Sequence, residues 1–273
     1  MVTKDQRRRQ LAREKFERQQ QRRVEARRKT VVQNVVIAAV IAVVLVIGAV
    51  GWAVTDFGSG SKKDDAAAGS SPSAAQPSKA PDPCAKPAEG GAGTEQWKKE
   101  PSVTVDTAAK YTFSLETTCG DIALDLDAKN APHTVNSFAF LAGKGFFDHT
   151  KCHRLTTSGI YVLQCGDPTG QGTGGPGYTI PDENLKAKEI AAGSYPAGTV
   201  AMANTGQAHT GGSQFFLVYK DSPLPPNYTP FGTISESGMK VLEKIAGAGE
   251  SSGGGDGAPN ATVVINKATV VKS

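Results

Sequence analysis

The chain has 273 residues, of which 38% are hydrophobic, and a formal net charge of +4 at pH 7, which leaves room for one ordinary domain beside substantial non-globular sequence. The charge is uneven, because residues 1–30 hold twelve Lys or Arg against four acidic residues and the rest of the chain holds eighteen against twenty-two. This asymmetry excludes a uniformly basic chain, so the net charge by itself indicates nothing about what the larger, mildly acidic part binds.

A long apolar run follows the basic segment 1–30. Residues 35–54 are drawn only from Val, Ile, Ala, Leu, Gly and Trp, and as a helix they would span about 30 Å, the thickness of a bilayer's hydrocarbon core. We predict a transmembrane helix over 31–55; the alternatives are a buried core helix or a cleaved signal sequence, whose apolar region is usually roughly 7 to 15 residues. The density of Lys and Arg before the run predicts a single-pass protein of the cell membrane, with a cytoplasmic N-terminus and an extracytoplasmic C-terminal domain.

The basic segment could also neutralise the phosphates of a nucleic acid. After Met1 and Val2, only Leu11, Phe16 and Val24 are large apolar residues there, and membrane topology together with attraction to anionic lipids already accounts for the charge. We therefore expect no nucleic-acid partner.

Residues 56–101 are rich in Gly, Ser, Ala, Lys and Pro and poor in large apolar side chains. Such a segment buries too little surface to offset its ordering entropy, so we predict a flexible linker. About 45 residues would reach roughly 35 to 40 Å, which lets the following domain sample proteins near the membrane. The linker could equally be a spacer through a cell-wall layer.

Residues 102–273 have the pattern of a mainly β domain, with short apolar or alternating runs separated by turn residues. Two segments have helical periodicity: the first would begin with Asn130 as cap and Pro132 in its first turn, and the second would cover about 237–246. Many strands with two helices favour a closed barrel capped at its ends. The predicted strands are 112–115, 121–126, 161–164, 199–203, 215–219 and 262–271, and the predicted helix stripes are Val135, Phe138, Ala139 and Ala142, and Met239, Leu242, Ile245 and Ala246.

Two pairs of short motifs carry the residues with the most chemical information. They are Cys152-His153-Arg154-Leu155 with Val162-Leu163-Gln164-Cys165-Gly166-Asp167, and Met202-Ala203-Asn204 with Gly212-Ser213-Gln214-Phe215-Phe216. This order of an arginine, two amides and an aromatic ring resembles the active-site strands of the cyclophilins, which are peptidyl-prolyl cis/trans isomerases. The resemblance covers roughly residues 103–271 and implies a closed eight-stranded antiparallel β-barrel with one α-helix over each opening.

The chemistry that the resemblance implies is rotation about an X-Pro amide, which is slow because amide resonance imposes a barrier of about 18–20 kcal/mol. Rotation becomes easier when a fixed donor holds the lone pair of the twisted proline nitrogen, so Arg154 is the catalytic candidate. The reaction requires no nucleophile, cofactor or metal. Proline-containing unfolded or exported polypeptides are the implied partners.

The resemblance also implies substrate-binding roles. Phe216 and Tyr161 would wall the proline pocket, and Asn204 with the Ala203 backbone would hold the residue before proline. For His153, packing with hydrogen bonds is favoured over a role as a base. The full set of implied substrate-binding residues is His153, Tyr161, Val162, Gln164, Ala203, Asn204, Gln214, Phe216, Leu224 and Tyr228.

Four differences from the family pattern stand out. The turn between Arg154 and Gln164 is longer by two residues than usual, and the usual Phe-Met pair reads Tyr161-Val162. Pro223 stands where cyclosporin-sensitive members carry tryptophan, and Tyr228 where many carry histidine. We therefore expect weak cyclosporin binding.

Four cysteines lie beyond the apolar run, where disulfides can persist. Cys152 and Cys165 are symmetric about the turn centred on Ser158-Gly159, so a hairpin would bring them together and leave Cys84 to pair with Cys119. Buried free thiols are the alternative.

Two further patterns, one typical of a metal site and one typical of a nucleotide-binding loop, are not supported by their surroundings in the sequence. His149, Cys152 and His153 are closely spaced, but on a strand Cys152 and His153 point to opposite faces, so we expect no metal site. The segment 170–175 satisfies G-x-G-x-x-G, but Pro176 and Pro181 follow where a nucleotide-binding helix would have to begin.

The sequence thus favours a membrane-anchored isomerase. The alternatives are a non-catalytic adaptor or holdase that binds proline peptides in the same groove, and an envelope protein tethered for spacing alone.

Overall fold

The structure is a computed structural model that describes residues 81–272. The predicted segment 1–30, the predicted transmembrane helix 31–55 and residues 56–80 of the predicted linker lie outside the described residues. Within 81–272, no helix is both long enough and apolar enough to cross a bilayer.

Ten antiparallel strands form a single sheet, in the order β3-β10-β1-β2-β8-β6-β7-β5-β4-β9. The prediction of a mainly β domain with two helices is confirmed. The elements in chain order are β1 (Tyr111–Thr117), β2 (Gly120–Leu126), α1 (Pro132–Gly143), β3 (Thr150–Lys151), β4 (Arg154–Thr156), β5 (Val162–Cys165), β6 (Thr199–Met202), β7 (Phe215–Val218), β8 (Pro230–Ile234), α2 (Glu236–Gly247), β9 (Asp256–Gly257) and β10 (Val264–Lys272).

The prediction of a closed barrel of eight strands is corrected to an open ladder of ten. Strands β3 and β9 stand at its two ends and do not pair with each other. The reason lies at Cys152 and His153, which interrupt what would otherwise be one strand from β3 to β4. The Cys152 N–H donates to Val263 O at 3.0 Å on one side, whereas the His153 N–H donates to Gln164 O at 3.1 Å on the other. The chain changes partners here, and the ladder breaks.

The two helices begin in different ways. Ser235 caps α2, with its hydroxyl accepting from Gly238 N–H at 3.1 Å, as a serine at this position favours. Helix α1 has no side-chain cap at Ala131, its first flanking residue, so the predicted cap at Asn130 is wrong. The Asn130 side chain instead donates to Asp127 at 2.7 Å, and Ala139 of the predicted buried stripe is only half-buried.

A carboxylate from a distant loop replaces the missing cap of α1. Glu183 accepts from the backbone N–H groups of His133 at 3.1 Å and Thr134 at 2.9 Å. A negative charge at this end of a helix is stabilised by the helix dipole. The start of α1 is therefore fixed by a tertiary contact.

The sheet is buried on both faces where β5, β6 and β7 meet. The larger core inside the barrel contains Leu163, Phe215 and Leu217, whereas a smaller apolar cluster on the outer face contains Val162 and Phe216. Because side chains alternate across a strand, the run Phe215–Val218 is buried at every position. The larger core is dominated by phenylalanine rings in mutual contact, namely Phe113, Phe138, Phe147, Phe215 and Phe231.

Residues 81–101, here named the N-terminal strap, contain no helix or strand but pack on the domain. A disulfide joins Cys84 to Cys119, and the Trp97 ring lies 5.0 Å from the ring of Phe140. The prediction placed the end of the flexible linker at residue 101. The structure shows that the last part of that segment belongs to the folded domain.

Candidate active site

One row of facing residues crosses four strands on the outer face of the sheet. Arg154 on β4 faces Gln164 on β5, Gln164 faces Phe216 on β7, and Phe216 faces Ala201 on β6. Directly opposed residues of antiparallel strands share a face. The strand register therefore places the predicted donor, amide and aromatic ring side by side.

The guanidinium of Arg154 is held at two edges. Its Nε and one terminal nitrogen each donate to the Asp256 carboxylate at 2.7 Å, and its other terminal nitrogen donates to Gln164 Oε1 at 3.2 Å. A guanidinium has five N–H donors, so two N–H groups, one on each terminal nitrogen, have no partner among the described residues.

The ion pair shifts the pKa of both partners. The hydrogen bonds to Asp256 raise the pKa of Arg154 despite its partial burial, and the same bonds lower the pKa of Asp256. The side chains are 39% and 55% exposed, so solvent screens their attraction. The pair orients the guanidinium while leaving it open to solvent and to a bound peptide.

Two glutamines extend this network along the groove. Gln164 Nε2 donates to Gln214 Oε1 at 2.9 Å, and Gln214 Nε2 donates to the carbonyl of Gly174 at 2.9 Å. Each amide thus has its orientation set by the next polar group. The network fixes Gln164 beneath the guanidinium and ties both to the glycine-rich loop 170–175.

A cavity of about 180 Å³ lies beside Arg154. Its floor is Phe216, which is only 5% exposed and whose ring lies 5.5 Å from that of Tyr228 in an edge-on arrangement. The cavity is large enough for a proline ring, and five of its nine lining residues are apolar. Its lining residues are Arg154, Ile160, Val162, Gln164, Ala203, Asn204, Phe216, Leu224 and Tyr228.

Tyr195 supports the cavity from behind. It is fully buried, and its hydroxyl donates to Tyr228 O at 2.7 Å and accepts from Tyr228 N–H at 3.0 Å. Burial raises the pKa of Tyr195 to about 12, so the hydroxyl keeps its proton and both bonds at neutral pH. Tyr195 therefore fixes the backbone from which Tyr228 reaches the cavity.

The glycine-rich loop is organised by Asp167. This fully buried carboxylate accepts from the N–H groups of Thr169 at 2.7 Å, Gln171 at 3.1 Å and Thr173 at 2.9 Å. Burial opposes its charge, but hydrogen bonds, of which the one from the Thr169 hydroxyl at 2.8 Å has the largest effect, outweigh that cost and lower the pKa of Asp167. The G-x-G-x-x-G pattern thus belongs to a loop folded around a carboxylate.

His153 lies next to Arg154 but does not line the cavity. Both of its ring nitrogens are buried without a hydrogen-bond partner among the residues that the structure describes. The predicted hydrogen bonds of His153 are therefore wrong. Burial, with a smaller contribution from the Arg154 charge, lowers the pKa of His153 against the opposing effect of Asp167. The imidazole is therefore neutral near pH 7.

The second disulfide joins Cys152 to Cys165, with their Cα atoms 4.0 Å apart. Cys152 lies two residues before Arg154, and Cys165 lies one residue after Gln164. Together with the Cys84–Cys119 bond, this is the pairing that the sequence indicated. The crosslink ties the two strands that present the guanidinium and its amide partner.

Tyr161, like His153, is a predicted site residue that does not line the cavity. Its ring lies 5.9 Å from that of Tyr219, with Lys220 Nζ 4.5 Å away, and Ile160 takes its place in the cavity wall. Ile160 and Val162 are two residues apart and so share a face, which turns Tyr161 to the other side.

Asn204 and Gln214, two more of the predicted substrate-binding residues, both lie at the site. Asn204 lines the cavity, but its side chain donates to Asn227 O at 2.8 Å and accepts from Gly206 N–H at 2.9 Å, so its backbone is the part left for a substrate. Gln214 lines an adjoining groove rather than the cavity itself.

Sequence reasoning missed Asp256, Tyr195 and Ile160. Asp256 lies 102 residues after Arg154, and no local pattern links the two. Ile160 could have been found from its two-residue spacing to Val162.

Comparison with known proteins agrees with this geometry. Residues 112–270 match the family described as cyclophilin type peptidyl-prolyl cis-trans isomerase/CLD. The chain is 53% identical over 167 residues to a protein of Mycobacterium leprae named probable peptidyl-prolyl cis-trans isomerase B, covering 58% of this chain and 56% of that protein. A protein of the same name from Mycobacterium tuberculosis is 51% identical over 165 residues, covering 58% and 53%. The chain thus spans about half the length of these mycobacterial relatives.

A shorter relative and a solved structure extend the comparison. A peptidyl-prolyl cis-trans isomerase of Helicobacter pylori is 41% identical over 134 residues, which covers 48% of this chain and 78% of that protein. The crystal structure of a Cryptosporidium parvum cyclophilin type peptidyl-prolyl cis-trans isomerase superposes with a TM-score of 0.50 at 25% identity, covering 60% of this chain and 99% of that one. That protein was also crystallised in the presence of the dipeptide ala-pro. With an arginine, an amide and the aromatic floor in one row of the sheet and residues 112–270 matching the family, the chain belongs to the cyclophilin-type peptidyl-prolyl cis-trans isomerase family.

Proposed function

We propose that this protein accelerates rotation about X-Pro peptide bonds in unfolded or exported polypeptides. The observation that carries the proposal is the position of Arg154 beside a cavity of about 180 Å³ that has the buried ring of Phe216 as its floor. The crystallisation of a Cryptosporidium relative with ala-pro supports a proline as the occupant of the cavity.

The proposed mechanism changes no covalent bond. Rotation about the amide removes the resonance that flattens it, and the proline nitrogen becomes pyramidal with an exposed lone pair. A free N–H group of Arg154 donates to the substrate more strongly in this twisted state than in the planar state, which is the condition for catalysis. A hydrogen bond to a charged group contributes about 1.5–3 kcal/mol, or about ten- to a hundredfold in rate.

The apolar side chains of the cavity supply the other half of the mechanism. Phe216, Val162 and Leu224 would hold the proline ring, while the backbone at Ala203 and Asn204 would hold the residue before it. Anchoring both sides of the bond lets the carbonyl between them turn against a fixed ring. Exclusion of water at Phe216 strengthens the bond from the guanidinium.

The test is the cis-to-trans relaxation of a short X-Pro peptide at low temperature, with the full chain and with its Arg154→Ala variant. We expect acceleration by the unchanged protein and a loss of about ten- to a hundredfold in the variant. Binding of the peptide without acceleration by either protein would instead favour the adaptor or holdase function. Equal acceleration by both would leave the isomerase in place and refute the role of Arg154.

We further propose that the protein is anchored in the cell membrane by one helix over 31–55, with residues 1–30 in the cytoplasm and the isomerase domain outside. The uncharged run 35–54, the basic residues before it and the two disulfides, which persist in oxidising compartments, support this placement. Protease added to intact cells should digest the domain and spare an epitope at the N-terminus. Protection of the domain would overturn the proposal.

Cyclosporin should bind weakly. Pro223, which stands where cyclosporin-sensitive members carry tryptophan, is exposed and does not line the cavity, whereas Leu224 and Tyr228 do. Pro223 therefore does not supply the contact that the tryptophan would make. Titration of the isomerase activity should show no inhibition at nanomolar cyclosporin, and nanomolar inhibition would refute this expectation.

A further inference from the structure

The N-terminal strap forms part of a groove beside the proposed active site. This groove has a volume of about 810 Å³ and shares Gln164, Ala203 and Asn204 with the smaller cavity. Its lining also includes residues 172–177 and, from the strap, Gln96. Gln96 lies before the residues 112–270 that match the family, so family membership assigns it no role.

The strap lies directly against the loop that borders the groove. Trp97 N–H donates to Pro176 O at 2.8 Å. Gly177 has a φ of +88°, and a Cβ atom there would lie only 2.7 Å from Trp97 O. The approach of the two segments therefore requires glycine at this position. The strap and the loop form one continuous wall.

Helix α1 holds the strap from its other side. The Trp97 ring contacts Phe140 at 5.0 Å, His133 Nδ1 lies 2.6 Å from Glu100 Oε1, and the side chain of Asn136 donates to Pro101 O at 3.3 Å. Asn136 is only 4% exposed, so its bond is sheltered from water. The backbone that carries Gln96 is thus fixed to the domain on both sides.

The side chain of Gln96 is free to bind a ligand. It is exposed, and its one hydrogen bond within the described region, from Nε2 to Gly175 O, is long at 3.4 Å and hence weak. A carboxamide offers both donors and an acceptor, which matches the alternating N–H and C=O groups of an extended peptide. The side chains lining this groove in the described structure are all uncharged, so a charged side chain would lose water without gaining a partner.

We propose that Gln96 binds the peptide substrate on the N-terminal side of the residue that precedes proline, and that this subsite prefers uncharged segments. The proposal rests on the proposed function, in which Ala203 and Asn204 hold the residue before proline. The groove continues from those two residues, and Gln96 lies on its wall. Gln96 is thus a specificity-determining residue that the strap adds to the family site.

The test compares two peptides with the full chain and its Gln96→Ala variant. One peptide is acetyl-Ala-Pro-amide, and the other is the same peptide extended at its N-terminus by Gly-Ser-Ala. For the extended peptide we expect the variant to lower kcat/KM by about 3- to 10-fold through a higher KM, as the loss of one neutral hydrogen bond predicts. Rates for the short peptide should not change. Glu95→Ala, an exposed neighbour outside the groove lining, is the matched control and should affect neither peptide.

Two results of the rate assay would overturn the proposal. An equal loss on both peptides would mean that Gln96 acts by holding Gly175 and, through the loop, Gln214; no loss on either would mean that it does not contact the substrate. If the unchanged protein accelerates neither peptide, the proposed function fails, and direct binding then tests Gln96 separately. Weaker binding of the extended peptide alone by the variant would support the subsite, and equal binding by both proteins would overturn it.

Discussion

The carboxylate of Asp256 offers a sharp test of how the guanidinium of Arg154 is positioned. In Asp256→Asn the side chain keeps its shape, but its amide nitrogen cannot accept a hydrogen bond. One of the two 2.7 Å hydrogen bonds from Arg154 is therefore lost, and an N–H group of Arg154 faces the NH₂ group of the asparagine instead. Arg154 then keeps one bond to the variant side chain and the 3.2 Å bond to Gln164. We expect the guanidinium to sample several orientations.

The magnitude follows from two separate estimates. Ordering a released long side chain again in the transition state costs about 0.5–1.5 kcal/mol, which predicts a fall in kcat/KM of about 2- to 13-fold. The effect on folding is smaller, because the two side chains are 39% and 55% exposed and exposed ion pairs contribute about 0–1 kcal/mol. The melting temperature should therefore fall by at most about 4 °C.

The assay is cis-to-trans relaxation of an X-Pro peptide, with thermal unfolding of the same samples. Asp106→Asn is the matched control, because Asp106 also forms an exposed ion pair, with Lys272 at 3.0 Å, away from the cavity; it should leave kcat/KM unchanged. The opposite result, equal or higher kcat/KM in Asp256→Asn, would refute the reasoning. It would mean that the carboxylate competes with the substrate for the guanidinium.

Two further predictions concern stability. Trp97→Ala removes the ring contacts at 5.0 and 6.0 Å to Phe140 and Phe146; chemical denaturation should show a loss of about 1–3 kcal/mol for this half-buried ring, and Lys98→Ala should show none. An unchanged free energy of unfolding would mean that the strap is not held by this ring. Burial lowers the pKa of His153 in the folded state, so stability is fully present above the unfolded value of about 6.5 and is lost as pH falls through the folded pKa. The unfolding midpoint of the protein should therefore drop between pH 7.5 and 5.5 by more than that of His153→Phe, and identical slopes would exclude His153 as the cause.

The residues that were predictable from sequence are those whose positions depend on strand pairing alone. Arg154, Gln164 and Phe216 lie on β4, β5 and β7, and a regular antiparallel register is enough to bring them into one row. Tyr161 was misplaced because the resemblance placed it, whereas alternation along the strand puts Ile160, and not Tyr161, on the face of Val162.

The elements that failed depend on contacts between distant segments. Asn130 has the composition of a helix cap, but Glu183, about fifty residues away, supplies the acceptors. The strap was interpreted as a linker because it has few apolar side chains. One tryptophan, one disulfide and hydrogen bonds such as those of the buried Asn136 hold it, and a count of apolar residues does not detect such anchors.

The symmetry of Cys152 and Cys165 about the turn predicted their disulfide, but the register of β4 and β5 supports that prediction only in part. The hairpin pairs Arg154 with Gln164, so a regular ladder would place Cys165 opposite His153, and Cys152 would point to the other face. The disulfide forms because the strand is interrupted at Cys152 and His153. The symmetry argument found the right partners but missed the irregularity that allows the bond.

The same interruption explains how Arg154 acquires its carboxylate partner. The chain changes partners between β3 and β4, so β10 pairs with β3 but not with β4. One edge of β4 is therefore free to pair with β9. Strand β9 consists of only two residues, and one of them is Asp256. The break that keeps the barrel ladder open thus places a carboxylate beside the guanidinium at the rim of the cavity. A change that restored a regular strand at residues 152–153 would displace β9 and with it the second anchor of Arg154.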